Sequence, residues 1–300
     1  MNQLNPLISI ITVNWNQSAV TLDCIASIKN ECTYTNLEII VVDNNSLEDP
    51  TEIIHSQYPD VIVIRNDTNA GFAGGNNIGI KHAKGDFLFF VNNDTEFTSG
   101  LVSSLLKIYQ EHADAGIVCP KFQYYYNKGV LEYAGYKDVN PITGRNHKIG
   151  GEETDHGQFT EVTTTAFAHG AAMLVSKKNI EKVGLMPEEF FLYYEEFDWC
   201  MQFRSKGLKI YFQPNALIYH KESVTTGVRS PLKTYYHTRN RILFMKRNFT
   251  KKYFFLFCMF FIFFTIPKNS MVFVKNLQFK HLASFWKGIF WHFNHKISFN

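Results

Sequence analysis

Cysteine is scarce and scattered in this chain. Five stand in 300 residues, at Cys24, Cys32, Cys119, Cys200 and Cys258, with no CxxC pair. That pattern supplies neither a disulfide framework nor a zinc site, and it fits a reducing compartment. An excess of one charge is also missing. Lys and Arg number 30 against 27 Asp and Glu, a net +3, so bulk charge gives no argument for a nucleic-acid partner, and none is expected. Met1 to Pro6 has no basic segment leading into an apolar stretch, so it does not read as a signal peptide. The expected location is the cytoplasm, at the cytoplasmic face of the membrane. The apolar run Tyr253 to Ile266 ends at Pro267-Lys268. It is shorter than the roughly twenty residues that cross a bilayer as a helix. No internal repeat is present.

What the chain has is alternation. Leu7 to Val13, Leu37 to Val42, Val61 to Arg65 and Asp86 to Val91 are short, apolar and rich in β-branched or aromatic residues, as strands are. Between them Val20 to Lys29, Pro50 to Tyr58 and a segment ending near Ala83 carry helical spacing. Strands alternating with helices predict βαβ units and a mostly parallel sheet covered on both faces. Leu101 to Glu111 (helix) and Gly116 to Cys119 (strand) continue the pattern. From Phe122 to Thr160 it weakens, as in a long surface excursion. It returns with a strand at Ala171 to Val175, helices at Lys177 to Val183 and Glu195 to Lys206, and a strand at Leu208 to Phe212.

Ligands of open α/β sheets bind beyond the carboxyl ends of the strands, so polar residues there are the first candidates. Asn92-Asn93-Asp94 follows the strand Phe87 to Val91. A carboxylate so placed can hold a hard cation, which can hold a diphosphate; the structural alternative is an Asx turn. Asp43 ends the second strand and can accept from a base or a ribose hydroxyl, or cap the next helix. Asn69 to Asn77, with Gly71, Gly74 and Gly75, reads as a connector. It is not GxGxxG, and no Walker lysine follows. Glu195, Glu196 and Asp198 open a helix among aromatics. They serve the helix dipole, or one of them is a general base whose pKa burial raises. His220 ends a strand and is a candidate metal ligand. His169, before Gly170, is a candidate for the acceptor pocket.

Taken together and in order, these residues resemble glycosyltransferase family 2, of the GT-A fold, and within it a rhamnosyltransferase-like branch. The phrases Ser9-Ile10-Ile11-Thr12-Val13-Asn14-Trp15-Asn16, Val42-Asp43-Asn44-Asn45-Ser46 and Asn69-Ala70-Gly71-Phe72-Ala73-Gly74-Gly75-Asn76-Asn77 carry the likeness, from about residue 7 to about 247. The resemblance implies an α/β fold with a GT-A, Rossmann-like, mostly parallel sheet and a helical C-terminal extension. The catalytic domain would span 1–228, with its nucleotide-sugar half at about 1–120 and its acceptor half at 121–228.

It also implies roles. Thr12, Asn14, Asp43, Asn92 and Asn93 would hold the donor nucleotide, and Asp94 and His220 a divalent cation, Mg or Mn. Glu196, with Glu195 second, would be the catalytic base, and His169, Asp198 and Trp199 would line the acceptor side. Asn92 stands where the family motif has its first Asp, which shifts the weight of metal binding onto Asp94, His220 and the diphosphate. The implied reaction is inverting transfer from a nucleotide-diphosphate sugar, such as dTDP-rhamnose or a UDP-sugar, to a saccharide or lipid-linked saccharide in surface-polysaccharide assembly. Two other classes were weighed. A sugar-phosphate nucleotidyltransferase would carry a glycine-rich basic loop after the first strand, where Asn14-Trp15-Asn16-Gln17 stands. A non-catalytic nucleotide- or glycan-binding module would not need Asp94, Glu196 and His220 together.

The region 229–300 begins basic, with Arg229, Lys233, Arg239, Arg241, Lys246, Arg247, Lys251 and Lys252, and becomes Phe-rich. Phe285-Trp286, Phe290-Trp291 and Phe293 interleave with Lys287, His292 and His295. That composition predicts peripheral contact with a membrane surface; the alternative is a helix docked on protein.

Overall fold

A computed structural model describes residues 5–221 and 230–294. The residue 228/229 boundary, Arg229 and His295 lie outside the described residues. The first half alternates as expected: β1 (Ile8–Asn14), α1 (Ser18–Glu31), β2 (Leu37–Asp43), α2 (Thr51–Gln57), β3 (Ile62–Arg65), α3 (Gly71–His82) and β4 (Phe87–Val91). These strands lie side by side in the order β3-β2-β1-β4, all parallel. The register sets Asn14 of β1 directly against Asp43 of β2. Two polar strand ends therefore meet at the carboxyl edge of a buried apolar sheet.

The second half contains β5 (Thr95–Phe97), α4 (Leu101–Glu111), β6 (Ala115–Tyr124), β7 (Leu131–Tyr133), β8 (Thr163–Thr165), β9 (Ala172–Ser176), α5 (Lys177–Val183), α6 (Glu195–Ser205) and β10 (Lys209–His220). The sheet continues from β4 as β9-β6-β10-β5, with β7 on β6 and β8 on β10. Antiparallel pairs enter here, because β9 runs against both β4 and β6. Parallel pairing needs a crossover, usually a helix. The chain between β7 and β9 supplies none, so it returns in the opposite sense. The weakly patterned stretch is thus partly woven into the sheet.

The glycine-rich segment is not a connector. It is the body of α3, which begins at Gly71. A Cβ on Gly75 would stand 2.9 Å from Val13, and one on Gly79 would stand 2.4 Å from Ile11. The glycines let α3 lie directly on β1, a packing demand that outweighs their low helix propensity.

The C-terminal region is helical: α7 (Pro231–Asn248), α8 (Lys251–Phe260), a π-helical turn at Phe261–Thr265, α9 (Ile266–Lys275) and α10 (Phe279–Asn294). Pro267 does not stop the apolar run. It sits in the first turn of α9, where a missing N–H costs little. The helical path is therefore continuous from Lys251 to Lys275, 25 residues, and long and apolar enough to cross a membrane by length and composition. Its outer face is bare, with Phe255, Phe263, Phe264 and Met271 each more than 60% exposed. On α10 the aromatics divide. Phe285 is buried against Phe261 and Phe273, and Trp291 lies 4.7 Å under the Arg239 guanidinium. Phe290 and Phe293 point outward.

Candidate active site

The polar strand ends form one connected pocket. Asp43 is fully buried and accepts from Asn14 Nδ2 at 2.7 Å and from the backbone N–H and hydroxyl of Ser46. Thr21 donates to Asn14 Oδ1 at 2.8 Å, and Asn93 Nδ2 donates to Thr21 at 3.0 Å. Thr12 lies on the same face of β1 as Asn14, two residues back. Its buried hydroxyl has no partner. Thr12, Asn14, Asp43 and Asn93 thus come together. Asn92 spends its backbone on turn contacts, donating to Ala171 O and accepting from Thr95.

Asp94 stands beside His220 because β5 and β10 pair antiparallel, with Thr95 opposite His220. Both side chains are buried, and His220 Nε2 lies 3.2 Å from Asp94 Oδ1. Neither of those two atoms has a hydrogen-bond partner. The other imidazole nitrogen, Nδ1, is 2.8 Å from Glu132 Oε2, and Glu132 Oε1 is 3.2 Å from His169 Nε2. Burial works against the charged form of His220, but Asp94 and Glu132 outweigh it and raise the imidazole to about 10. Burial likewise pushes Glu132 upward, and the two imidazoles more than reverse this, holding it far below the usual carboxylate range. His169 is lowered, chiefly by burial.

This constellation fits a divalent cation. Two groupings offer themselves, since the ligand atoms of Glu132, His169 and His220 also lie within 4.8 Å of one another. Glu132 already spends both oxygens on imidazoles, whereas Asp94 Oδ1 and His220 Nε2 face only each other, so a cation would have to displace the proton they share. Asp94 with His220 could hold a cation in this way. Glu132 would then be the carboxylate that orients a ligating histidine from behind. Sequence reading missed Glu132 because it lies in the poorly patterned stretch. Its signal was an isolated acid between Leu131 and Tyr133, both buried.

The second centre is the loop that opens α6. Phe191, Tyr193 and Tyr194 all have positive φ, at 63°, 67° and 75°, a conformation rare for bulky residues. Helix α7 clamps them. Asn240 Nδ2 donates to the carbonyls of Phe190, Leu192 and Tyr193 at 2.7–2.9 Å, and Arg239 donates to those of Glu189 and Phe190. On the other side Phe72 N donates to Phe191 O at 2.7 Å. The loop delivers Glu195 and Glu196 at the helix start, each with a buried, unpartnered Oε2. Burial raises Glu196 to about 7, and burial plus the charge of Glu196 raises Glu195 well above the carboxylate range. Both carboxyls are thus held above the usual range, and a carboxylate raised to that degree can take a proton near neutral pH. Gly170 packs on Glu196, since a Cβ there would stand 3.4 Å from its Cγ.

Asp198 and Trp199, expected on the acceptor side, present no free polar group. Asp198 is buried and accepts from Arg247, Asn248 and Gln202. Trp199 is fully buried, edge-on to Phe90, and donates to Gly184 O. They fasten α6 to α7 and to the sheet. Among the described cysteines all five are free thiols.

Comparison with known proteins adds the following. Residues 9–184 match the family model described as Glycosyl transferase family 2. The dTDP-rhamnosyl transferase RfbF of Shigella flexneri is 24% identical over 264 residues, covering 82% of each chain. An uncharacterized protein, y4gI, of Sinorhizobium fredii is 27% identical over 252 residues, 81% of this chain, and the match spans 27% of that protein's length. Among solved structures, GalNAc-T7 with UDP, GalNAc and Mn2+ superposes with a TM-score of 0.62 at 16% identity, covering 77% of this chain and 46% of that one. The last likeness speaks to the fold, which is GT-A.

Proposed function

Since the chain belongs to glycosyltransferase family 2, we propose that it is an inverting hexosyltransferase that uses a nucleotide-diphosphate sugar. The carrying observation is Glu196, a buried carboxylate raised to about 7 with an unpartnered oxygen. Asp43, Asn14 and Thr12 bind the nucleoside, with the Thr12 hydroxyl free to take a donor hydrogen bond. Asp94 and His220 would hold a divalent cation, Mg or Mn, which would supply positive charge against the departing diphosphate. Glu196 accepts the proton of the acceptor hydroxyl as that oxygen attacks the anomeric carbon. The bond to the nucleotide breaks on the opposite face, so one displacement inverts the anomeric centre. We read the donor as dTDP-rhamnose or a UDP-sugar, supported by the similarity to RfbF and to GalNAc-T7.

The acceptor is read as a lipid-linked saccharide at the cytoplasmic membrane face. The bare Phe255, Phe263 and Phe264 and the lysines Lys251, Lys252, Lys268 and Lys275 support this placement, since apolar side chains flanked by cations suit an anionic bilayer surface. The test is donor binding and hydrolysis across dTDP-, UDP- and GDP-sugars with Mn, Mg or EDTA. One donor is expected to be turned over, and EDTA to abolish that turnover. Absence of binding by every nucleotide sugar would refute the proposal.

A further inference from the structure

A cavity of about 370 Å³ lies between the excursion after β7 and the C-terminal helices. Its walls include Arg145, Asn146, Tyr194, Thr238, Arg241 and Thr265. Three hydrogen-bonding atoms in these walls are buried and unpartnered: Asn146 Nδ2, Arg241 Nε and Thr265 Oγ1. All three can donate. Such atoms cost free energy unless something occupies them. Thr265 is 3% exposed and closes the π-helical turn, where its hydroxyl is not spent on the helix backbone. Both arginines face this space, and among the described residues neither forms an ion pair with a carboxylate. Burial first, and the Arg145 charge as well, hold Arg241 down to about 10. No lining residue is an acid. Beyond Glu222 the chain has no Asp or Glu at all.

Two positions fix what kind of anion fits. Tyr194, in the wall, directly precedes Glu195 and Glu196. On the far side, the turn that contributes Thr265 also carries Phe263 and Phe264, which are exposed on the apolar outer face. A ligand here would have one end near the base and the other beside an apolar surface. Cations and neutral donors converging on one space suit a phosphate ester.

We propose that this cavity binds the phosphate or diphosphate group joining the acceptor saccharide to its membrane lipid. It deepens, and rests on, the reading of the chain as a transferase to a lipid-linked acceptor. The group would sit between Arg145 and Arg241, accepting from Asn146 and Thr265. The lipid chain would leave along α8 and α9 into the bilayer, and the sugar would point past Tyr194 to Glu196.

The experiment measures binding of the full chain to phosphatidylcholine vesicles carrying a small mole fraction of polyprenyl diphosphate. Controls carry polyprenol, or phosphatidylglycerol at matched charge, and soluble pyrophosphate serves as competitor. The wild type is expected to prefer the polyprenyl diphosphate vesicles by about tenfold or more. Arg145→Gln and Thr265→Val should each remove most of that preference while leaving donor-sugar hydrolysis intact. Arg145 is exposed and Thr265→Val conserves volume, so both variants are expected to fold. Equal binding to phosphatidylglycerol vesicles, equal binding to polyprenol vesicles, or an unchanged preference in both variants would overturn the proposal. So would soluble pyrophosphate binding as tightly as the lipid. Selective vesicle binding without hydrolysis of any donor would sink the transferase reading and leave the cavity assignment supported.

Discussion

Replacing Glu196 by Gln should do two opposite things. The base contribution disappears, and general bases typically supply about 10² to 10⁴ in rate. Turnover should therefore fall by roughly a thousandfold, with donor binding nearly unchanged. Stability should rise at alkaline pH. The Glu196 carboxyl is raised from 4.5 to about 7 by burial, so the folded state holds its proton more tightly than the unfolded chain. Such a group destabilises the fold progressively as pH rises from near 4.5 to about 7, and the loss then levels off. Two to three pKa units correspond to about 3 kcal/mol at pH 8. Gln carries no charge to bury and escapes the loss. Thermal unfolding should show the variant melting higher than wild type at pH 8, on the order of 5 °C, with the gap closing near pH 4. In the wild type, kcat/KM should fall tenfold per pH unit below about 7 and be flat above it. Glu195→Gln is the contrast: if Glu196 is the base, loss of the neighbouring carboxyl should cost under about tenfold in activity. A Glu196→Gln enzyme that kept a tenth of its activity, or a melting gap independent of pH, would refute the assignment of the base.

Glu132→Gln should weaken Mn affinity by about 10- to 100-fold, measured by titrating the metal into chelated protein. It removes the charge that orients His220 while leaving Asp94 and His220 in place, and unchanged affinity would return Glu132 to a packing role. Asn240→Leu should strip the Leu192 and Tyr193 carbonyls of their donor, leaving Phe190 O to Arg239, and lower kcat by about tenfold or more with donor KM nearly constant. A raised donor KM with normal kcat would mean that α7 supports the nucleotide pocket instead of the base loop.

Much of this architecture was legible because it is local. Strands such as Ile8–Asn14 and Leu37–Asp43 announce themselves by continuous apolar, β-branched runs, and their polar ends mark the sheet edge where ligands bind. The acid pair at Glu195-Glu196 and the Asn92-Asn93-Asp94 turn are contiguous motifs. What escaped is non-local. Glu132 becomes part of the site only because β7 pairs with β6 and so brings it to His220, which lies 88 positions along the chain. Periodicity has no access to such a meeting. Gly75 reads as part of a connector because its reason for standing in α3 is the close approach to Val13. Asp198 carries the same chemistry as Glu196 two residues earlier. Only the arrival of Arg247 and Asn248 from α7 separates Asp198, whose oxygens are taken, from Glu196, which keeps an unpartnered one.

That last distinction ties the tail to the chemistry. Three bulky residues with positive φ within four positions store strain, each by about 1–3 kcal/mol, and the loop they form carries the base. The compensation comes almost entirely from α7, through Asn240, Arg239 and the Arg247–Asp198 pair. Helix α7 is in turn packed by α10 so closely that a Cβ on Gly288 would stand 2.8 Å from Tyr235 O. The aromatic helices are therefore coupled to the shape of the catalytic loop. A bilayer or acceptor lipid that engaged the continuous α8–α9 helix would touch an element packed on α7, which holds the loop before Glu196. If those helices rest on a membrane, catalytic geometry and acceptor supply are linked by α7 itself.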